Sequence, residues 1–201
     1  LADLYEGISD LIPDRTALVC DGRRRTYVEL DEGSNRIARH LASVGVGPGD
    51  HVALHMRNSI EFVESLLGCL KIRAVPINVN YRYVDAELTY LYNDSQSVAL
   101  IVDEEFVSVV ETVLPAAPGI KHVVVVGESA VRDIEGVDVV RFADAAAEQA
   151  ATRDFAPRSN DDLFVIYTGG TTGMPKGVMW RHEDFYFAAL TGGNPFGPPH
   201  T

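Results

Sequence analysis

Apolar positions along this chain follow two rhythms, one helical and one strand-like. Leu4, Ile8, Leu11 and Ile12 recur at helical spacing until Pro13-Asp14 breaks the run. Ala17 to Cys20 and Thr26 to Val28 flank Asp21-Gly22, a hairpin-turn dipeptide, and are expected as paired strands. Leu30, Ile37, Leu41 and Val44 mark an amphipathic helix from Tyr27 to Val44, stopped by Gly45, Gly47, Pro48 and Gly49. Past that stop the alternation is regular. Strands are expected at His51 to Met56, Ala74 to Val79, Val98 to Val102, His122 to Val126 and Val137 to Phe142. Helices are expected between them at Ser59 to Ile72, Asp85 to Tyr92 and Glu104 to Leu114. An alanine-rich stretch, Ala143 to Ala151, and a polar break, Pro157 to Asp162, precede a last apolar strand, Leu163 to Thr168. Short Val-rich strands alternating with helices predict an α/β fold, a parallel sheet layered with helices on both faces. Such sheets bind ligands outside the carboxyl ends of their strands, which directs attention to the segment after Thr168.

Residues Leu163 to Val178 read LFVIYTGGTTGMPKGV, a strand running straight into a glycine- and hydroxyl-rich loop. Gly169, Gly170 and Gly173 let the backbone turn tightly and approach a ligand closely. Successive amides in such a loop form an anion-binding concavity, and Thr168, Thr171 and Thr172 add hydroxyl donors. Lys176 supplies a compact cation suited to phosphate. A unit pair at 4 Å is worth about 1 kcal/mol in water and about 4 kcal/mol at an effective dielectric near 20, so Lys176 matters in a semi-buried site. One lysine does not balance a triphosphate. A divalent cation, Mg²⁺ by its chemistry, is expected with it, Thr168 being the hydroxyl placed to reach it. The loop is not a Walker A sequence, because Lys176 follows Pro175 and precedes Gly177, and its glycine spacing is not that of a dinucleotide fingerprint. A flexible connector is the alternative.

The run Tyr167 to Gly177, YTGGTTGMPKG, resembles the YTSGTTGxPKG signature of the adenylate-forming enzymes, which include acyl-CoA synthetases, luciferases and peptide-synthetase adenylation domains. Arg25 to Leu30 (RTYVEL) and Leu70 to Arg82 (LKIRAVPINVNYR) are similar to earlier motifs of that family, the second in its acyl-CoA synthetase form. The WRHED run, Trp180 to Asp184, is similar to actinobacterial fatty-acyl and sterol-side-chain CoA ligases. The resemblance implies that residues 1–201 are the amino-terminal portion of an AMP-binding domain, part of the family's large domain. It implies an acid–thiol ligase using ATP, Mg²⁺ and coenzyme A on a small carboxylic acid, fatty-acyl or sterol-side-chain in kind. Thr168, Gly169, Gly170, Thr171, Thr172, Gly173 and Lys176 would then bind the ATP phosphates. Gly169 stands where the family usually has serine, so one hydroxyl donor is lost while backbone donation survives. The family's adenine and ribose motifs, hinge and catalytic lysine are not in these residues, so the 201 residues alone are expected to be inactive. A peptide-synthetase or luciferase-like activity, or a non-catalytic nucleotide- or partner-binding module, stand as alternatives.

The chain is 46% hydrophobic and 23% charged, an ordinary globular composition, with a formal net charge of −12 that opposes nucleic acid and anionic lipid. No apolar run approaches the ~20 residues of a membrane span, and Leu1 to Ser9 lack a signal-peptide pattern. Cys20 and Cys69 are far apart, which suggests neither disulfide framework nor zinc site and makes the cytoplasm the expected compartment.

The remaining candidates have bland readings that compete. Arg23-Arg24-Arg25 is expected as a solvated turn, and His51 and His55, on one strand face without a third ligand, as ordinary strand histidines. Asn78, Asn80, Tyr81 and Arg82 read as turn formers that could rim a site. His182 could face an acyl pocket as a substrate-binding residue or serve structurally, and Trp180, Phe185, Tyr186 and Phe187 could line a channel or the core. A sheet cut partway exposes an edge and an apolar face, which predicts self-association.

Overall fold

Asp21 and Gly22 both take positive φ, 49° and 76°. This mirror-image turn suits strand twist, and Gly22 meets its backbone requirement without strain. It joins β1 (Thr16–Cys20) to β2 (Arg23–Thr26) as an antiparallel pair. Before it lies helix α1 (Ala2–Leu11), and after it α2 (Tyr27–Ser43). Of the strand expected at Thr26 to Val28, only Thr26 is strand, as the last residue of β2, while Tyr27 and Val28 open α2. The Thr26 side chain accepts from the Glu29 amide while the Glu29 carboxylate accepts from the Thr26 amide, a capping box that turns the chain into helix at Tyr27. The three arginines form β2 rather than a turn, and Arg23 and Arg25 pair with Glu61 and Glu64.

The computed structural model describes residues 1–128, 133–168 and 173–190. Beyond α2 come β3 (His51–His55), α3 (Ile60–Lys71), β4 (Val75–Asn78), α4 (Asp85–Asp94) and β5 (Ala99–Asp103). They are followed by α5 (Val107–Val113), β6 (His122–Val126), β7 (Asp138–Arg141), α6 (Phe142–Ala147), β8 (Leu163–Thr168), β9 (Lys176–Arg181) and α7 (His182–Ala189). The helix expected over Glu104 to Leu114 is split, α5 being flanked by 3₁₀ turns at Glu104–Phe106 and Leu114–Ala116. Phe142 begins α6 instead of ending a strand.

The large sheet has seven strands in the order β7-β6-β5-β3-β4-β8-β9. Neighbours from β7 through β8 are parallel, as the strand–helix alternation predicts. β9 is the exception. It pairs antiparallel with β8, from Leu163↔Arg181 to Thr168↔Lys176, because the connecting loop is too short for a crossover helix.

Both faces of the sheet are covered, which is why its central strands are apolar at nearly every position. Ala53, Ile77, Leu100 and Val102 pack under α4 and α5 with Leu88, Leu91, Tyr92 and Val110. Val52, Leu54 and Ile101 pack on the other side against Ile37 and Leu41 of α2, Cys69 of α3 and Phe142 of α6. In α1 the apolar spacing faces outward instead: Leu4, Ile8 and Leu11 are exposed, while Ala2 and Ser9 are buried. A buried charge network anchors that helix. The Lys71 ammonium, wholly shielded from solvent, donates to Glu6 at 2.8 Å and Asp31 at 2.7 Å. Arg153 completes Asp31 at 2.7 Å and Arg158 completes Glu6 at 2.8 Å. Burial pushes the Asp31 carboxyl up, yet its bonds to Lys71 and Arg153 outweigh that and hold it below the ordinary aspartate range.

Candidate functional site

The carboxyl ends of β3, β4, β5 and β8 open on one side of the sheet, and the loop that leaves Thr168 returns there at Lys176. Gly169, Gly170, Thr171 and Thr172 lie outside the described residues, whereas Thr168, Gly173 and Lys176 are described and all three are exposed. Thr168 and Lys176 are register partners at the tip of the β8–β9 hairpin. Pro175, beside them, is buried. The Lys176 ammonium forms no ion pair with a described residue, which sets it apart from the buried lysine at position 71.

Beside the hairpin tip lies a cavity of about 510 Å³, walled by Arg57 and Asn58 after β3, Asn78 at the end of β4, Asn80 and Tyr81 after it, and Tyr167 of β8. Asn80 makes the turn expected of it, its side-chain oxygen accepting from the Arg82 amide at 3.0 Å. It also borders the cavity, so turn formation and a place at the rim coexist. Arg57 spans the rim: its guanidinium donates to Glu105 and sits 4.6 Å from the Tyr81 ring centroid. That ion pair holds the Glu105 carboxyl below the usual glutamate range. The Arg57 amide donates to Asp103 at 2.7 Å, closing the ends of β3 and β5. Nearby, His55 is fully buried and stacked on Phe106, with Nδ1 3.0 Å from the Tyr92 hydroxyl. Burial pulls its imidazole down to about 4, so it is neutral near pH 7. Neither His51 nor His55 belongs to a metal cluster, and among the described residues no group of three or more His, Cys, Asp or Glu is arranged to hold one.

His182 is not brought to the loop. It follows β9 at the opposite end of the hairpin, six strand residues beyond the tip, about 20 Å away at ~3.4 Å per residue. Its amide donates to the Asp162 carbonyl at 2.8 Å. Its imidazole is buried, lowered in pKa by that burial, and borders a separate cavity of about 370 Å³ with Arg158 and Tyr186. The aromatic run divides: Phe185 packs on Phe164 with centroids 5.2 Å apart, while Trp180 and Phe187 are exposed.

Two features of this side of the molecule escape sequence reasoning. One is β9 itself. The other is a hydrogen bond from the Tyr167 hydroxyl to Asp94 of α4 at 2.8 Å, between residues 73 positions apart. No local pattern signals a contact at that separation.

The sequence matches the family described as AMP-binding enzyme over residues 10–197. It is 47% identical over 200 residues, 98% of this chain and 36% of the relative, to a protein of Mycobacterium marinum named medium/long-chain-fatty-acid–CoA/3-oxocholest-4-en-26-oate–CoA ligase. It is 48% identical over 186 residues, 92% of this chain and 34% of the relative, to a 3-oxocholest-4-en-26-oate–CoA ligase of Rhodococcus rhodochrous. Among solved structures, an anthranilate CoA ligase in complex with anthranoyl-AMP superimposes with a TM-score of 0.88 at 29% identity, over 96% of this chain and 37% of that one. The chain thus spans about a third of the length of the curated relatives it matches.

Proposed function

The chain belongs to the AMP-binding enzyme family, and on that premise we propose that it is the amino-terminal portion of an ATP-dependent acyl-CoA synthetase. In the proposed reaction a carboxylate attacks the α-phosphate of ATP, giving an acyl-adenylate and pyrophosphate. The thiol of coenzyme A then displaces AMP to form the thioester. The acid is already ionised at neutral pH, so the first step needs no base. What it needs is stabilisation of charge on the departing pyrophosphate. The observation that carries this reading is the hairpin tip, where exposed Thr168 and exposed Lys176, without an ion-pair partner among the described residues, flank the family's loop at the open ends of the parallel strands.

In this reading Lys176 and the amides and hydroxyls from Thr168 to Gly173 hold the phosphates, and Mg²⁺ arrives with the nucleotide. Tyr81, Asn78 and Arg57 border the neighbouring cavity, where the rest of a substrate would lie. The acid is a fatty-acyl or sterol-side-chain carboxylate, an assignment supported by the names of the two relatives. The 201 residues alone do not complete the reaction, since they span about a third of those relatives.

The test is ATP–pyrophosphate exchange by the full-length parent, measured with short, long-chain and steroid-ring carboxylates. Exchange is expected with the long-chain or steroid acids, and Lys176→Ala is expected to lower it about 10²-fold. Exchange driven by amino acids, or none with any acid, would turn the reading toward a peptide-synthetase type or a binding module. Wild-type exchange by Lys176→Ala would remove the proposed role of the loop.

A further inference from the structure

The motif around the loop contains two residues that the phosphate-binding reading leaves without a task, Tyr167 and Gly177. They are register partners across β8 and β9, one step inside the Thr168↔Lys176 pair. A Cβ on Gly177 would lie 3.0 Å from both Cε2 and Cζ of the Tyr167 ring, closer than an ordinary contact. The ring therefore lies across the bare backbone of the facing strand, where any Cβ would press on it and shift it. From that seat its hydroxyl donates to the Asp94 carboxylate at the last residue of α4, 2.8 Å away. Burial raises the Tyr167 phenol above its ordinary range and Asp94 adds to this, so it remains a donor throughout the neutral range. The same ring walls the cavity beside the hairpin tip.

We propose that Tyr167, seated on Gly177 and tethered to Asp94, is a positioning residue that sets the two strand ends presenting Thr168 and Lys176 to the nucleotide. This rests on the adenylation reading. β9 has no neighbour but β8 among the described strands, and β8 is registered to β4 only at Ile77↔Val165, so the hairpin tip beyond that pair can twist. The tether refers their tips to α4, which packs on the sheet centre through Leu88 and Leu91. Electrostatic stabilisation requires donors held within about 0.5 Å, and displacement of 1 Å costs up to about 10² in rate. Asp94 is exposed and the ring half-buried, so loss of the bond falls on geometry at the tip more than on the core.

The experiment is ATP–pyrophosphate exchange by the full-length parent carrying Tyr167→Phe, Asp94→Ala, both together, or Lys176→Ala. Each single change at the tether is expected to lower kcat about tenfold, with the KM for the acid and the thermal midpoint unchanged. The double variant is expected to be no worse than either single one, because both remove the same bond. Wild-type kcat in the two single variants alongside a defective Lys176→Ala overturns the tether and leaves the loop's role standing. Additive losses in the double variant, or losses that track a falling thermal midpoint, also overturn it by assigning the two residues separate or purely structural roles. Wild-type exchange by Lys176→Ala removes the loop's proposed role and the tether with it, whereas absence of exchange with any acid removes the adenylation reading itself.

Discussion

Lys71 and Lys176 are the same side chain in opposite circumstances. Lys71 closes α3, is wholly buried, and holds two carboxylates from α1 and α2 within 2.8 Å. Lys176 opens β9, is exposed, and has no carboxylate partner among the described residues. A buried charge must find its counter-charge within the protein, because desolvation otherwise costs several kcal/mol. An exposed charge without one is free to meet an anion from outside. The first lysine belongs to folding, the second is the one we propose for binding, and neither circumstance is a property of lysine itself.

The sharpest way to break this contrast is to truncate each in turn. Lys71→Ala leaves Glu6 and Asp31 without their shared ammonium, Asp31 retaining Arg153, and is expected to cost about 3–5 kcal/mol in urea denaturation. Lys176→Ala is expected to stay within about 0.5 kcal/mol, its effect appearing only with nucleotide. Equal losses of stability would erase the distinction.

Acid and base separate the same two regions. Beneath the cavity's strand ends, burial holds His55 neutral down to about 4, against 6.5 for a free imidazole. The unfolded chain takes up that proton first, so His55's contribution is full above about 6.5 and is lost as pH falls toward 4. The difference is about 3 kcal/mol. His55→Asn, which can still meet the Tyr92 hydroxyl, is expected to flatten the stability profile across that window. In the helical layer the sign reverses. Burial, with Glu61 nearby, raises Glu64 from 4.5 to about 7. Its protonated form is favoured on folding, so its contribution is full below 4.5 and is lost as pH rises to about 7. Glu64→Gln is expected to recover up to about 3 kcal/mol near neutrality and less toward pH 4.5, read from urea midpoints at several pH values. A change of either slope in the other direction would contradict the burial assigned to that group.

The smallest effect concerns the edge. All six residues of β9 are exposed, and Met179, Trp180 and Phe187 present apolar surface to solvent. Weak, concentration-dependent self-association of the 201-residue chain is expected in light scattering. A constant monomer mass across concentrations would show that this surface is not sticky.

The central strands and their helices were legible from apolar runs because burial on both faces leaves no polar alternation to confuse the pattern. His51–His55 and Leu163–Thr168 stand where the runs placed them. The glycine- and hydroxyl-rich motif from Thr168 to Lys176 was visible in the sequence because it is local, and its phosphate-binding role is the one proposed above, residues 169–172 lying outside the described residues. β9 was not legible. Lys176 to Arg181 has no buried face, and an exposed strand leaves no hydrophobic signature. The start of α2 stands at Tyr27 as expected, whereas the strand expected over Thr26 to Val28 ends at Thr26, because a capping box there turns the chain into helix.

Local order is therefore set by neighbours along the chain: glycines that turn, caps that start helices, apolar runs that must leave water. Partnership across the chain is not. That Lys71 meets Glu6 and Asp31, that Tyr167 reaches Asp94, and that His182 lies far from Lys176 depend on which surfaces the sheet brings together. Those surfaces join residues tens of positions apart, and only packing selects among the partners available to each charge.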